Sequence, residues 1–405
     1  MGDGGRMHAD EPDISPGLVR RLIEGQFPQW AGLGIETAGP AGTSNAMFRL
    51  GPDLAVRLPR RPGAAADIDK EHLWLPRLAP VLPAAVPVPV AMGLPGEGYP
   101  WRWSVCSWLE GENPAIAQPS QPELLADDLA AFASALHRVS PAGAPASYRC
   151  EPLSERDAST RAAIAQVHEL VDAAAVIAVW EDALTAPGPA GRPVWIHADL
   201  QPGNLLIAAS GRLSAVIDFG CAGLGDPAVD LIPAWYVLPA DRARTAFRAA
   251  ASEAEWARAR GWALSIALLE LSYYRNRNPR MASIAGHVIH EILAELVAGP
   301  AVPGGAPNDH QSIGSANHRS ATAFPLRPWQ RWSGPAYTPS QEALGTSREP
   351  GGPARQWHSS AQVAHRNLSS ARRPWQRSSG RRPHGRLARK RGNGCCGRRP
   401  DRSLF

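Results

Sequence analysis

Two short apolar runs near the amino terminus alternate in the manner of strands. Residues 45–50 and 54–58 are rich in β-prone side chains, and the Gly-Pro-Asp at 51–53 is typical of a tight turn. Alternation along the second run places Ala55 and Arg57 on the face opposite its leucines and valine. The pattern predicts an antiparallel strand pair that presents one cation on its second face.

The apolar spacing then changes to steps of three and four residues, which predicts a helix over residues 64–75. Glu71 lies on the apolar stripe of this helix, between Ile68 and Leu75. Pro76 is expected to end or kink the helix because proline lacks a backbone N–H.

Two further extended runs complete a small antiparallel sheet. Residues 86–90 alternate valine with proline, and proline confines a strand to the edge of a sheet because it cannot donate to the ladder. Residues 103–109 form the next strand, after a glycine-rich turn at 96–98.

The chain from there to residue 297 is mainly helical. Steps of three and four between apolar residues predict helices over residues 125–139 and 281–296, and a continuous apolar run predicts another over 261–274. The alanine-rich stretch 161–180 is also expected to be helical. These patterns predict an α+β fold, in which a small antiparallel sheet is followed by a mainly helical lobe.

Between the predicted helices lies a hairpin with polar residues at both ends. Two short β-prone runs flank a turn centred on Gly211, which places Asn204 opposite Asp218 with their Cα atoms roughly 4.5–5.5 Å apart. Amide and carboxylate oxygens of this kind suit Mg²⁺. Asp199 lies on the loop that enters the hairpin and is a candidate general base for an incoming hydroxyl.

The sequence around this hairpin resembles that of known enzymes. H-x-D-x-x-x-x-N followed by D-F-G is similar to the catalytic set of protein kinases, and the form HADLQPGNLL…IDFG…GDPAVDL resembles the aminoglycoside phosphotransferase family. The similarity covers roughly residues 20–297. It implies a two-lobed, protein-kinase-like fold that binds ATP or GTP with Mg²⁺ between its lobes. It also implies a small-molecule hydroxyl as phosphoryl acceptor, with an aminoglycoside-type antibiotic as the leading candidate.

The resemblance assigns roles to individual residues. Asp199 would orient and deprotonate the acceptor hydroxyl, while Asn204 and Asp218 would hold Mg²⁺. His197 would pack the loop. Asp230 would support the loop, or it is a first-turn carboxylate that the helix dipole favours. The alternative for the whole set is that these are ordinary turn residues between strands.

The amino-terminal half would bind the nucleotide, with one departure from the family. Arg57 occupies the place of the kinase lysine, and arginine keeps the charge but is longer and planar. Glu71 is its expected partner because a carboxylate on a buried face needs a cation. The alternative is a solvent-facing arginine on an edge strand. Main-chain groups of Ser107, Trp108 and Leu109, at the implied hinge between the lobes, would contact the nucleotide base.

Three features have two interpretations each. Residues 41–45 either cover the phosphates or form a plain connection. Lys70 is either a solvated charge or a displaced catalytic lysine. Glu270, inside an apolar helix, either binds a cationic acceptor or is a structural acid paired with an arginine such as Arg275.

Charge divides the chain into two unequal parts. The 105 residues after Pro300 contain 18 of the 42 Lys and Arg and 4 of the 37 Asp and Glu, so they carry a net charge of +14 and leave −9 on the preceding 300. An acidic body suits a cationic substrate.

The segment from residue 298 is rich in Gly, Pro, Ser and Arg without a helical or strand period, and is expected to be disordered. It is either a dispensable or spurious extension or a nucleic-acid-binding tail.

Four segments follow from these boundaries. They are a flexible amino terminus (1–20), a nucleotide-binding N-lobe (21–109), a catalytic and acceptor-binding C-lobe (110–297) and a basic tail (298–405).

No apolar stretch is long enough to span a bilayer, the start lacks the apolar core of a secretory signal, and the five cysteines show no metal or disulfide spacing. A cytoplasmic enzyme without a membrane partner is the simplest interpretation. The alternative is a non-catalytic, pseudokinase-like binding protein in which Arg57 marks a lost nucleotide contact and the tail recruits nucleic acid.

Overall fold

The computed structural model describes most of the chain up to residue 298. The described ranges are 12–38, 44–114, 119–240 and 242–298. Most of the 41–45 loop and almost all of the basic tail lie outside them, so the expectations for both stay predictions.

A five-stranded antiparallel sheet forms the first lobe. Its strands are β1 (Ile35–Thr37), β2 (Asn45–Leu50), β3 (Leu54–Pro59), β4 (Pro89–Gly93) and β5 (Trp103–Ser107), in the order β1-β2-β3-β5-β4. The predicted pair is confirmed, with Met47 opposite Arg57. The predicted edge strand is also at the edge, but it begins at Pro89 rather than residue 86. Neither Pro87 nor Pro89 has an N–H to donate, so regular pairing develops only beyond them.

Helix α1 (Pro16–Gln26) covers one face of this sheet and was not predicted. Ser15 caps it, since its Oγ accepts from the Leu18 N–H at 3.3 Å. Leu18 and Val19 are buried in the same apolar cluster as Val56 of β3. The ordered lobe therefore includes residues 16–20, which the sequence had assigned to a flexible amino terminus.

Helix α2 (Pro62–Leu78) packs against the sheet and carries Glu71. Pro76 does not end this helix, which continues to Leu78. Pro76 removes one backbone hydrogen bond from the helix, since a proline nitrogen cannot donate.

Helices dominate the second lobe and surround one large core. They are α3 (Pro122–His137), α4 (Asp157–Val167), α5 (Ala173–Thr185), α6 (Pro233–Tyr236), α7 (Arg242–Arg248), α8 (Glu253–Tyr274) and α9 (Pro279–Ala298). The stretch 161–180, predicted to be helical, belongs to two helices, because the Asp172 carboxylate caps a new helix by accepting from the Ala175 N–H at 3.0 Å. No helix within the described ranges is both long and apolar enough to cross a bilayer.

Two small strand pairs lie in the second lobe beside the first. One consists of β6 (Val194–Ile196) and β9 (Gly223–Gly225), the other of β7 (Leu205–Ile207) and β8 (Leu213–Val216). The loops that join these strands carry the polar residues of the candidate site. Arg57 of β3 and Lys70 of α2 contact the loop after β8, so that loop lies where the lobes meet.

Candidate active site

The hairpin that carries the expected metal ligands has a different register from the predicted one. Its strands pair Leu205 with Val216, and the Asn204 carbonyl accepts from the Ile217 N–H at 2.9 Å. Asn204 therefore lies opposite Ile217, and the predicted pairing with Asp218 is wrong by one residue.

A bulge and an asymmetric loop explain the shift. The register changes between Leu206 and Ile207, so the two strands do not contribute equal numbers of residues to the ladder. The loop is closed by the Ala208 N–H, which donates to the Arg212 carbonyl at 2.9 Å. Gly211 takes the left-handed position near its end, with φ 80°, rather than marking the centre of a symmetric turn.

Asp218 follows the hairpin in a left-handed conformation, with φ 62°. Its Oδ1 accepts from the Gly220 N–H at 3.4 Å, which fixes the carboxylate to its own turn. The same oxygen accepts from Arg57 Nη2 of β3 at 3.0 Å. The side chain is 43% exposed, so part of the carboxylate remains open to the cleft.

Asp199 and Asn204 are directly hydrogen-bonded to each other. Asn204 Nδ2 donates to the Asp199 carbonyl at 2.8 Å and to Asp199 Oδ2 at 2.9 Å. Because the amide nitrogen faces Asp199, the amide oxygen of Asn204 points away from it and is available to a cation. The structure thus brings the candidate base beside one of the two expected metal ligands.

Asp230 holds the loop that carries Asp199. Its fully buried carboxylate accepts from the backbone N–H of His197 at 3.0 Å and of Ala198 at 2.8 Å. His137 Nε2 lies 3.0 Å from Oδ2 of the same group. Ala198 is in the left-handed region, with φ 67°, which is unfavourable for alanine. These contacts confirm that Asp230 supports the loop and explain how it keeps a strained residue.

His197 packs beneath the loop as predicted. Its ring lies edge-on to Phe219, with 4.7 Å between centroids, and its Nε2 is 3.2 Å from the Ile217 carbonyl. Burial lowers the pKa of His197, so the imidazole is neutral and donates to that carbonyl.

The predicted ion pair between Arg57 and Glu71 is present. Arg57 Nη1 donates to Glu71 Oε2, and both residues are buried. Burial alone would lower the pKa of Arg57, but the carboxylates of Glu71 and Asp218 outweigh it and raise the pKa. With its amide oxygen turned inward, Asn45 also accepts from Nη2 at 2.9 Å and Nε at 3.1 Å. Because β3 is an inner strand, the solvent-facing interpretation of Arg57 is wrong.

Lys70 is mostly buried, with its side chain 16% exposed, contrary to its interpretation as a solvated charge. Its Nζ donates to the Gly220 carbonyl and lies 3.3 Å from Asp67 Oδ1. The ammonium also lies 4.5 Å from the centre of the Tyr148 ring. Tyr148 OH in turn donates to Asp67 Oδ1 at 2.6 Å. This cluster attaches α2 to the loop after Asp218, so the charge serves contact between the lobes.

The segment expected to contact a nucleotide base is only partly free. The Ser107 N–H donates to the Val88 carbonyl at 3.1 Å, and the Trp108 N–H donates to the Asp53 carbonyl at 2.8 Å. Two of the three N–H groups of this segment are therefore used by the sheet, because pairing on both sides of β5 reaches its carboxyl end. The predicted main-chain contact with the base then rests on the remaining main-chain groups of the segment, such as the Leu109 N–H.

Glu270 does not pair with Arg275, which instead donates to the Gln166 carbonyl. Glu270 accepts from Gln201 Nε2 at 2.8 Å and from Tyr236 OH at 3.2 Å. Burial raises the pKa of Glu270 to about 7. The structural interpretation is supported, although its predicted partner is wrong.

Two side chains that contact Asp199 escaped prediction. Gln201 Nε2 lies 3.3 Å from Asp199 Oδ1, and Arg149 Nη1 donates to the same oxygen at 2.9 Å and to the Ala198 carbonyl. Gln201 lies inside the motif and its position was a usable indication. Arg149 is a single arginine in a loop fifty residues earlier, and no periodicity marks it.

The donor set fits a magnesium ion but no denser metal centre. Within the described residues no three His, Cys, Asp or Glu side chains cluster as metal ligands. Mg²⁺ needs only one or two protein oxygens when phosphates and water supply the others. The amide oxygen of Asn204 and the part-exposed carboxylate of Asp218 are of that kind.

Comparison with known proteins connects this geometry to one family. The profile described as "phosphotransferase enzyme family" matches residues 37–262, which include every polar group of the site described above except Glu270. Curated protein sequences give no significant match.

Solved structures share the fold at low sequence identity. The GDP complex of aminoglycoside 2'-phosphotransferase-IIIa is 20% identical, with a TM-score of 0.54 over 69% of this chain and 99% of that one. The GDP and kanamycin complex of an APH(2") enzyme is 21% identical, with a TM-score of 0.55 over 68% and 98% of the two chains. This likeness establishes the two-lobed, protein-kinase-like fold.

Proposed function

The chain belongs to the phosphotransferase enzyme family, and we propose that it transfers the γ-phosphoryl group of ATP or GTP to a hydroxyl group of a small molecule. One observation carries the proposal. In the second lobe, Asn204 donates to Asp199. Across the lobes, Arg57 of the first lobe donates to Asp218 of the second, and Arg57 also donates to Glu71. Phosphoryl transfer depends mainly on such positioning and on neutralisation of charge.

Each residue has a distinct part in the proposed reaction. Asp199 accepts the proton of the acceptor hydroxyl, and its side chain is 22% exposed, which leaves room for that contact. Asn204 and Asp218 would hold Mg²⁺, which would neutralise charge on the phosphates. Arg57 would donate to the phosphates with Nη2, the nitrogen that now donates to Asp218.

The donor and the acceptor class rest on different support. Two similar structures contain GDP, which supports a nucleotide in the cleft, and one of them also contains kanamycin. The net charge of −9 on residues 1–300 favours a cationic acceptor through steering. We therefore propose an aminoglycoside-type acceptor. Glu270 is bonded by both Gln201 and Tyr236, so it is not a ready anchor for an ammonium group.

A non-catalytic binding protein is the second candidate, and one contact favours it. Arg57 bonds the Asp218 carboxylate that is expected to hold the metal, so arginine and Mg²⁺ compete for the same group. A protein in which the arginine prevails would bind nucleotide weakly and without metal dependence.

A thermal-shift experiment tests the two candidates against each other. We expect ATP·Mg or GTP·Mg to raise the Tm of the wild-type protein and to have little effect on Asp218→Ala. Asp69→Ala is the matched control, because Asp69 also pairs with an arginine but is 54% exposed on the outer side of α2. A folded wild-type sample that responds to neither nucleotide would refute the kinase proposal. Phosphorylation of a panel of hydroxyl compounds, with kanamycin included, then identifies the acceptor.

A further inference from the structure

We propose that Arg149 is the positioning residue for the candidate base Asp199, and this inference rests on the function proposed above. Arg149 Nη1 donates to Asp199 Oδ1 at 2.9 Å and also to the carbonyl of Ala198. One nitrogen thus connects the carboxylate to the peptide that precedes it. The direction of the side chain becomes coupled to the direction of the backbone, and charge-assisted hydrogen bonds of this kind are strong and directional.

The peptide that Arg149 holds is the strained one. Ala198 has φ 67°, a conformation that side-chain-bearing residues rarely adopt. The Asp230 carboxylate accepts from the Ala198 N–H at 2.8 Å, and Arg149 donates to the Ala198 carbonyl. Asp230 alone would fix only the amino side of this turn. Arg149 fixes the carboxyl side, from which Asp199 extends.

The other contacts of Asp199 leave this task to Arg149. Gln201 reaches Oδ1 at 3.3 Å with a neutral amide, and Asn204 reaches Oδ2 at 2.9 Å. Arg149 and Gln201 together occupy Oδ1, so Oδ2 is the oxygen that accepts the proton of the acceptor hydroxyl. The guanidinium keeps Oδ1 engaged, so Oδ2, which accepts from Asn204 alone, has the greater capacity left for that proton.

Arg149 is built to stay charged and fixed. It is only 5% exposed. Burial alone would lower the pKa of Arg149, but the carboxylate of Asp199 outweighs this and raises the pKa. A buried cation that already has a carboxylate partner has little freedom to move.

The backbone of Arg149 is anchored to the chain that follows Asp218. The Ser147 N–H donates to the Leu224 carbonyl at 3.0 Å, and the Tyr148 N–H donates to the Cys221 carbonyl at 3.2 Å. Ser147 Oγ also donates to the Cys221 carbonyl at 2.8 Å and accepts from the Arg149 N–H at 3.1 Å. The candidate base Asp199 is therefore positioned relative to the same loop that carries the expected metal ligand Asp218.

Removal of the guanidinium tests the inference with a matched control in the same lobe. Arg258 is also 5% exposed and also donates to a carboxylate, Asp226, and to a backbone carbonyl, that of Pro187, but it has no described contact with Asp199. The assay uses ATP·Mg and GTP·Mg as donors and kanamycin as acceptor. For Arg149→Ala we expect kcat to fall on the order of 100-fold, because misplacement of a catalytic group by an ångström has that effect. Nucleotide Kd should stay close to wild type.

Two further measurements separate positioning from folding. Millimolar guanidinium should restore part of the lost kcat in Arg149→Ala and none in Arg258→Ala, whose kcat should stay close to wild type even where its Tm falls. Arg149→Lys keeps the charge and should fold, yet its flexible side chain ends one bond short of the position of Nη1, so its kcat should also fall.

The outcomes distinguish this inference from the function on which it rests. Wild-type turnover together with near-wild-type kcat in folded Arg149→Ala or Arg149→Lys would overturn the role of Arg149 alone. A loss of kcat in Arg258→Ala equal to that in Arg149→Ala would do the same. No turnover by the wild-type protein with either donor and any acceptor of the hydroxyl panel would remove the proposed function and the inference together, since a base that does not act needs no positioning.

Discussion

The carboxylate of Asp199 is held by three side chains of the cleft. Arg149, Gln201 and Asn204 all donate to its carboxylate, and none of these three is a proton acceptor for an acceptor hydroxyl in this arrangement. These three groups therefore hold and orient the carboxylate, and among the four side chains the carboxylate is the one that would take the proton in the proposed reaction.

Replacement of Asp199 by asparagine separates chemistry from binding. Asp199→Asn keeps the size of the side chain but removes the basic oxygen, so kcat should fall by about 10²- to 10⁴-fold. Nucleotide Kd should change little, because Asp199 has no expected contact with the nucleotide. Steady-state kinetics and nucleotide titration check both statements, with the exposed Asp69→Asn as control. Near-wild-type turnover would show that Asp199 is not the base.

Glu270 makes the stability of the fold depend on pH. Burial raises the pKa of Glu270 from 4.5 to about 7, so the folded chain binds its proton more tightly than the unfolded chain does. The contribution that results is fully present below pH 4.5 and is lost as the pH rises through about 7.

The variant Glu270→Gln should lack this pH dependence. Relative to wild type, its free energy of unfolding should rise between pH 5 and pH 8 by on the order of 3 kcal/mol. Urea denaturation at both pH values measures the difference. Glu110→Gln, whose side chain is 75% exposed, controls for the loss of a surface carboxylate. Parallel pH profiles for wild type and Glu270→Gln would contradict the effect.

At the scale of elements, α8 is the scaffold of the second lobe. It carries Glu270 and begins at a capping box in which Ser252 and Glu255 satisfy each other's backbone N–H. Its buried side chains face neighbours in almost every direction, so close packing rather than an amphipathic stripe holds it in place.

Gly261 marks the closest approach of α8 to its neighbours. A Cβ added there would lie 2.6 Å from Ala183 Cβ of α5 and 2.6 Å from Leu153 Cδ2. Gly261→Ala should therefore lower the free energy of unfolding by about 1–3 kcal/mol, despite the higher helix propensity of alanine.

Gly286 in α9 offers the opposite case. Apart from the neighbouring backbone of its own helix, no atom of the described residues lies within 4 Å of a Cβ added there. Gly286→Ala should stabilise the protein by about 0.5–1 kcal/mol through propensity alone. Denaturant unfolding of the two variants provides the comparison, and equal effects would mean that packing at Gly261 does not limit the helix.

For the whole molecule, two separate cores and the contacts between them define the cleft. The cluster of Lys70, Asp67, Tyr148 and Gly220 joins α2 to the second lobe, and Arg57 joins β3 to Asp218. Both sets of contacts end on the loop around Asp218. The loop that would hold the metal is therefore also the one that couples the lobes.

The described body should function without the basic tail. A chain that ends at Ala298 retains α9 and every contact of the candidate site, so its kcat and Tm should match those of the full chain. Kinetics and thermal melting at low and high salt measure this, because a tail charge of +14 against a body of −9 would act through screened electrostatics. Loss of folding or turnover on truncation would place a needed segment beyond residue 298.

Local chemistry in the sequence determined much of this protein. Alternation and a turn predicted β2 and β3, and an apolar stripe predicted that Glu71 would meet Arg57. Motif spacing predicted that Asp199, Asn204 and Asp218 would lie close together. Asn204 does donate to Asp199, and its carbonyl accepts from Ile217, the residue before Asp218. Family resemblance, more than periodicity, supplied their expected roles, which stay predictions.

Tertiary structure alone decided which distant side chains share the site. Arg149 donates to Asp199, which is 50 residues away in the chain. Lys70 donates to Gly220 across 150 residues, and Gln201 donates to Glu270 across 69. The hairpin register also depended on a bulge that no alternation marks. The physical reason is the same in each case. Turns, caps and periodicity act over a few neighbouring residues, whereas the partner of a buried charge is selected by how whole elements pack, because an unpaired charge in that interior is too costly to keep.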